Sequence, residues 1–198
     1  SQKQLTDALR IGRMGYFEYD LPRGTLTLTD EMFALVGTSA ANEGGYQFPI
    51  RQILRKFVVE EDIRPTLAVI QDLVKHPEKQ KASHEIRFTT VEGRRVWIET
   101  ILTIELDSNG NYTKIVGSSQ DITERKTNEL TQSAITHISE SALTSRTAEE
   151  LFKSVHDSIH TILPSRNFFA ALYDPNTELI TFPYHADERD DNWSPRKI

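Results

Sequence analysis

With 198 residues, 37% hydrophobic and 26% charged, the chain can hold one large domain, or one domain and part of a second. Its net charge of −6 and lack of a basic run argue against a nucleic-acid partner. The absence of cysteine excludes disulfides, thiolate metal sites, cysteine nucleophiles and cysteine–flavin adducts. No apolar run approaches the ~18–20 residues of a membrane helix and no signal peptide is readable, so a cytoplasmic fragment of a longer protein is expected.

Residues 1–12 read as a short helix with Leu5, Ala8 and Leu9 on one face. Tyr16 to Asp20 and Thr25 to Leu28 alternate around the turn Leu21-Pro22-Arg23-Gly24, which predicts a hairpin. Thr29 or Asp30 is expected to cap a short helix over Glu31 to Val36, stopped by Gly37. Thr38 to Gln47 reads as loop. A helix over Pro49 to Phe57 and another from about Ile63 to Lys75 follow, with the acidic residues Glu60-Glu61-Asp62 at the start of the second, where they suit its dipole. Three strands complete the unit. Ser83 to Thr90 carries Ile86 and Phe88. Arg95 to Leu106 carries Val96, Ile98, Leu102, Ile104 and Leu106 on one face, with Trp97 and Ile101 on the other. Tyr112 to Ile122 follows the hairpin signal Asp107-Ser108-Asn109-Gly110. The fold class is α+β, a five-stranded antiparallel sheet with helices on one face.

At Asp121 the period changes from 2 to about 3.6. Leu130, Ala134, Ile138 and Ala142, with Ile135 beside them, mark a linker helix over residues 124–143. A further helix capped by Ser145 or Thr147 and closed by Pro164 follows. Strands over Asn167 to Tyr173 and Glu178 to Pro183 then open a second unit, residues 144–198.

The chain from about Gln4 to Lys126 resembles a PAS domain with its C-terminal PAC segment, the domain itself being placed at residues 13–123. The resemblance rests on Gly15-Tyr16-Phe17-Glu18-Tyr19-Asp20, on Thr29-Asp30 with Phe33, Leu35, Val36 and Gly37, and on His84-Glu85-Ile86-Arg87. It continues in Glu92-Gly93-Arg94-Arg95-Val96-Trp97-Ile98 and in Gly117 through Asp121-Ile122-Thr123-Glu124-Arg125-Lys126. Val58-Val59 stand where the family's usual His-Pro precedes the acidic run. The tail resembles the start of a GAF domain, through Phe152 to Pro164, Asn167 to Asp174 and Phe182-Pro183-Tyr184. The resemblance implies a sensory module of a multidomain signalling protein, a two-component sensor histidine kinase or a regulator of a cyclic-dinucleotide enzyme. A truncated GAF unit should leave a small apolar surface for a second copy.

No nucleophile–base pair, metal cluster or phosphate loop is readable, so no catalytic or metal-ligating residue is assigned and no enzyme activity is expected in these residues. Ser83-His84-Glu85-Ile86-Arg87 superficially matches a kinase phospho-acceptor box, but its alternation reads instead as a strand with solvated polar residues. His76, before Pro77, reads as a group near the last helix carbonyls rather than a haem ligand. His156 and His160 read as an exposed helix face. The candidate pocket lining is Phe17, Met32, Phe33, Phe57, Leu67, Ile70, Phe88, Ile98, Leu102 and Ile104; with no polar anchor among them, plain core filling is the favoured reading of the same residues. The cofactor is left unknown, with haem and non-covalent flavin the named options. Gly117, Asp121, Thr123 and Arg125 form the expected signal junction, Asp121 through a buried polar contact and Thr123 as a helix cap. A homodimer face is expected at Leu5, Leu9, Trp97 and Ile101, with a kinase or other output domain downstream in the same chain. The competing reading is a ligand-free interaction and dimerisation module.

Overall fold

The computed structural model describes residues 14–107, 109–163, 165–189 and 193–197. The expected N-terminal helix, with Leu5 and Leu9, lies outside the described residues, as do Ser108 and Pro164. The chain divides into two compact units between Glu124 and Arg125.

The first unit opens with the hairpin β1 (Met14–Asp20) and β2 (Thr25–Leu28). Asp20 shapes its turn: one carboxylate oxygen accepts from the Arg23 N–H at 2.9 Å. Helix α1 (Asp30–Leu35) follows and buries Met32 and Phe33. Thr29 flanks that helix without capping it; its hydroxyl oxygen accepts from the Tyr16 N–H instead, 3.3 Å away. The stretch read as loop holds a four-residue helix α2 (Ala40–Glu43), capped by Ser39, and a short strand β3 (Gln47–Pro49). That strand makes the sheet six-stranded rather than five-stranded. With a single buried side chain, Phe48, it is too short to show alternation.

Helix α3 (Ile50–Phe57) buries Ile53, Leu54 and Phe57. Helix α4 (Glu60–Lys75) begins at Glu60, ahead of the expected Ile63, and the acidic run forms its first turn as its dipole favours. The long strands β4 (Lys81–Thr89), β5 (Arg95–Leu106) and β6 (Tyr112–Asp121) then pair antiparallel. The sheet order is β3-β2-β1-β6-β5-β4. A register shift between Glu105 and Leu106 breaks the alternation there, which leaves Leu106 55% exposed rather than on the core face.

One face of the sheet carries the core. Leu26, Leu28, Ile86, Phe88, Val96 and Ile98 meet the helical side chains Met32, Phe33, Ile53, Leu54 and Phe57. A second cluster joins Leu73 of α4 to Leu102, Ile104 and Ile115. Helix α5 (Thr123–Thr144) starts two residues after the last residue of β6.

The second unit contains the rest of α5, helix α6 (Ala148–Ile162) and a three-stranded antiparallel sheet of β7 (Phe168–Asp174), β8 (Leu179–Ala186) and β9 (Arg196–Lys197). Thr147 caps α6 by accepting from the Glu150 N–H at 3.1 Å. Hydroxyl and imidazole contacts join α5 to α6: Ser141 to Ser154 at 2.5 Å and His137 to Ser158 at 2.9 Å. The α5 stripe is only partly covered, with Ala134 buried but Leu130 and Ile135 exposed. Among the described residues, no helix is long and apolar enough to cross a membrane.

Candidate functional site

The inner faces of β1, β2, β4, β5 and β6 and the facing sides of α1, α3 and α4 line a cavity of about 60 Å³. Its walls are Phe17, Leu26, Leu28, Met32, Ile50, Ile53, Leu54, Ile70, Ile86, Phe88 and Leu102, with four polar residues among them: Thr66, His84, Thr100 and Ser119. Thr66, Thr100 and Ser119 are themselves buried.

The polar residues form two pairs. Thr100 and Ser119 are opposite one another across β5 and β6, and their hydroxyl oxygens are 3.0 Å apart. Thr66, on α4, donates its hydroxyl hydrogen to the Asp62 carbonyl one turn earlier, at 2.7 Å. Its oxygen also stands 3.2 Å from His84 Nε2. Since a hydroxyl has one hydrogen, Nε2 is the donor of that second contact, and the neutral imidazole keeps its proton there. Burial pulls the His84 pKa below the usual imidazole range, against the opposing pull of Asp62 and Glu85. His84 is therefore an inward-facing, half-buried residue. The expected solvated strand position is corrected: strand alternation places residues 84, 86 and 88 on the core side.

Behind this wall, Asp62 fastens α4 to β4. Its Oδ2 accepts from the Arg87 N–H and Nε–H, both at 2.9 Å, and its Oδ1 from Nη2 at 2.7 Å. The Arg87 guanidinium holds the Asp62 carboxyl below the usual carboxylate range. The same guanidinium lies over the Trp97 ring, 5.8 Å from its centroid.

The second part of the site is the junction between sheet and exit helix. The Trp97 N–H donates to Thr123 Oγ1 at 2.9 Å, and the Trp97 carbonyl accepts from the Ile122 N–H at 2.8 Å. Asp121 Oδ1 accepts from the Thr123 N–H at 2.9 Å. The Asp121 carboxylate thus meets the start of the helix, and the Thr123 oxygen also reaches β5. Thr123 serves both contacts because it offers a backbone donor and a side-chain acceptor.

Of the expected pocket residues, Phe17, Met32, Ile70, Phe88 and Leu102 line the cavity. Phe33, Phe57 and Ile98 are buried in the adjoining core, and Leu67 packs against it. Phe33 is edge-on to Phe48, with ring centroids 6.2 Å apart, and so is spent on β3. Ile104 packs with Leu73 and Ile115 in the second cluster. Gly117, expected at the junction, packs against Phe17: a Cβ there would come within 2.1 Å of the Phe17 ring. Arg125 is exposed in the first turn of α5. Trp97 is half-buried and Ile101 43% exposed on the outer sheet face.

His76 closes α4, its Nδ1 2.9 Å from Asp72 Oδ1. His156, expected on an exposed face, is half-buried: it contacts the Tyr184 hydroxyl and the Ser165 carbonyl, each at 2.9 Å, and stacks on Phe168. Among the described residues, no group of His, Asp and Glu is arranged to hold a metal ion. A flavin or a haem does not fit the cavity as shaped, since about 60 Å³ falls far below the ~300–1,000 Å³ of pockets for molecules of that size.

No protein-family model matches the chain, and no curated protein matches it. Solved structures do. A sensory box histidine kinase/response regulator from Burkholderia thailandensis is similar at 20% identity and a TM-score of 0.54, over 72% of this chain and 98% of that one. The PAS domain of a Colwellia psychrerythraea protein has 22% identity and a TM-score of 0.48, over 62% and 98% of the two chains. The N-terminal domain of a diguanylate cyclase with a PAS/PAC sensor, from Marinobacter aquaeolei, has 17% identity and a TM-score of 0.46, over 57% and 98%. At 20% identity and a TM-score of 0.54, the first of these shows the fold alone: the chain carries an α+β fold of the PAS type.

Proposed function

We propose that the first unit is a sensory module of a multidomain signalling protein, in which the state of the cavity is passed into helix α5. One observation carries this reading: the cavity wall and the helix junction are built on the same two strands. On β5, Thr100 lines the cavity while Trp97, three residues earlier, grips Ile122 and Thr123. On β6, Ser119 lines the cavity while Asp121, two residues later, caps α5. A small shift of either strand is felt at both places, because packed β-ladders move as units rather than deform residue by residue.

The PAC-like end of this unit and a linker over residues 124–143 lead, on this reading, into the first part of a GAF domain over residues 144–198. The output is a histidine kinase or another catalytic domain further along the same chain, with a cyclic-dinucleotide enzyme as the second choice. No catalysis is assigned to the 198 residues themselves. A homodimer through the outer sheet face, where Trp97 and Ile101 are partly exposed, belongs to the same proposal.

The test needs no ligand. Leu102→Phe places extra carbon in the cavity without touching its hydroxyl pairs. Amide hydrogen exchange at Thr123 to Thr127 is then compared with wild type. A several-fold change in protection there, with the domain folded, supports the reading. Unchanged exchange favours a module whose sheet serves association alone.

A further inference from the structure

We infer that the cavity is built for a compact nonpolar molecule, a light hydrocarbon in class, with neither a charge nor a hydrogen-bonding group. This ligand class rests on the sensory reading above and narrows it.

Protein interiors are close-packed, and voids larger than a water molecule are few. This one lies where the two core clusters of the first unit meet: Leu28, Met32 and Phe88 of its wall belong to the first, Ile70 and Leu102 to the second. At the ~10–15 Å³ that one water needs, a cavity of about 60 Å³ takes a molecule of about four heavy atoms. Wall atoms that face empty space forgo their dispersion contacts, and an occupant of matching shape restores them.

Four polar residues stand in the wall, yet the surface that reaches the cavity is nearly all carbon. The protein itself engages the polar atoms. The Thr100 and Ser119 hydroxyl oxygens meet each other at 3.0 Å. Thr66 donates to the Asp62 carbonyl, and His84 Nε2 donates to Thr66 Oγ1. Among the described residues, the buried side-chain oxygen left without a partner is Ser165 Oγ, in the second unit. An oxygen on the ligand would therefore give up its water and find no donor, which costs affinity. Water meets the same difficulty, since it is held in a cavity only by several polar partners. A nonpolar occupant thus displaces no well-held water.

Charge is disfavoured on the same grounds. No lysine or arginine lines the cavity. The cation of the neighbouring strand residue, Arg87, is engaged by both oxygens of Asp62. A carboxylate in the cavity would lose its hydration without gaining a counter-charge, which is the costliest form of burial.

The experiment is a titration of the protein at neutral pH, followed by methyl NMR, with isobutane, acetone and sodium acetate as probes. The three are matched in heavy-atom count and branching and differ in oxygen and charge. Isobutane should give saturable shifts at the methyl groups of Leu28, Ile70 and Leu102, about tenfold tighter than acetone or more, because the acetone carbonyl must be desolvated. Acetate should give no saturable shift. Leu102→Phe, which places carbon in the cavity, should remove the isobutane shifts at Leu28 and Ile70. Acetone or acetate binding as tightly as isobutane, no saturable shift with isobutane, or isobutane shifts that persist in Leu102→Phe each overturns the inference. The wild-type comparison of the three probes decides even if the variant does not fold. Because the hydrogen-exchange comparison at Thr123 to Thr127 uses no ligand, failure of the ligand class and failure of the sensory reading are separately visible.

Discussion

Trp97 holds the entrance of helix α5 with both its backbone groups: its N–H donates to Thr123 Oγ1 at 2.9 Å and its carbonyl accepts from the Ile122 N–H at 2.8 Å. The helix therefore starts against the middle of a sheet rather than at a free strand end. Thr123→Val keeps the shape and β-branching of the side chain but removes the acceptor. The Trp97 N–H then loses this acceptor, at a cost of ~1–3 kcal/mol. Urea denaturation should show this loss, with Thr123→Ser close to wild type. Equal stability of the valine variant would mean that the contact is replaced by water.

Asp62 and Arg87 fix helix α4 to strand β4 with three hydrogen bonds to one carboxylate. Hydrogen bonds to charged groups contribute about 1.5–3 kcal/mol, and both side chains are mostly covered. Asp62→Asn should destabilise by roughly that amount. The sign with pH is set by the depressed carboxyl pKa. Asp62 stabilises the fold fully above the unfolded carboxyl value, about 3.9, and this contribution fades as pH falls through the lower folded value. Urea midpoints measured from pH 7 down to pH 3 should show a smaller acid loss in Asp62→Asn than in wild type.

His84 gives a second, higher window. Its folded pKa lies below the usual value because of burial. As pH falls through the unfolded value, about 6.5, the unfolded chain takes up the proton first, so stability declines below that pH until the folded imidazole also protonates. Replacing His84 by Gln, which can still donate to Thr66, should flatten the stability profile between pH 7 and pH 5. An unaltered slope would assign that acid sensitivity to other groups.

Gly117 stands opposite Phe17 across β1 and β6, and an added Cβ would fall 2.1 Å from the ring. In Gly117→Ala the ring must turn away from β6, and overpacking of this kind costs ~1–3 kcal/mol. Phe17→Leu in the same chain should recover part of the loss, as a thermal melt of the double variant would reveal. Additive losses would mean that the two residues do not compete for the same space.

The fold was legible where a period ran long enough. Strands β4, β5 and β6 and helix α4 are each nine residues or more, and their alternation or stripe is plain in the sequence. Strand β3 was not, since three residues carry no period and its place is decided by pairing with β2. The cavity was half legible. Apolar residues on the correct face were readable, but which of them border empty space depends on how neighbouring side chains fill it, and Phe33 and Ile98 are completely buried by theirs. The polar anchors were missed although a signal existed: Thr100 interrupts the apolar face that Ile98 and Leu102 otherwise continue, and Ser119 and His84 fall on the inward register of their strands. A hydroxyl on a core-facing position is better read as one half of a pair than as a lapse in the pattern. At the junction the residues were readable but not their partners, because the Trp97–Thr123 bond joins positions 26 apart.

Coupling between cavity and helix is measured most directly by a double-mutant cycle on hydrogen exchange. Leu102→Phe perturbs the cavity and Thr123→Val cuts the grip of Trp97 on α5; amide exchange at residues 124–127 is followed in wild type, each single variant and the double. The expected result is a several-fold change on filling the cavity when Thr123 is present and little or none when it is Val, an interaction energy of ~0.5–2 kcal/mol. An identical change in both backgrounds would contradict the account, since the cavity would then reach the helix without passing through Thr123.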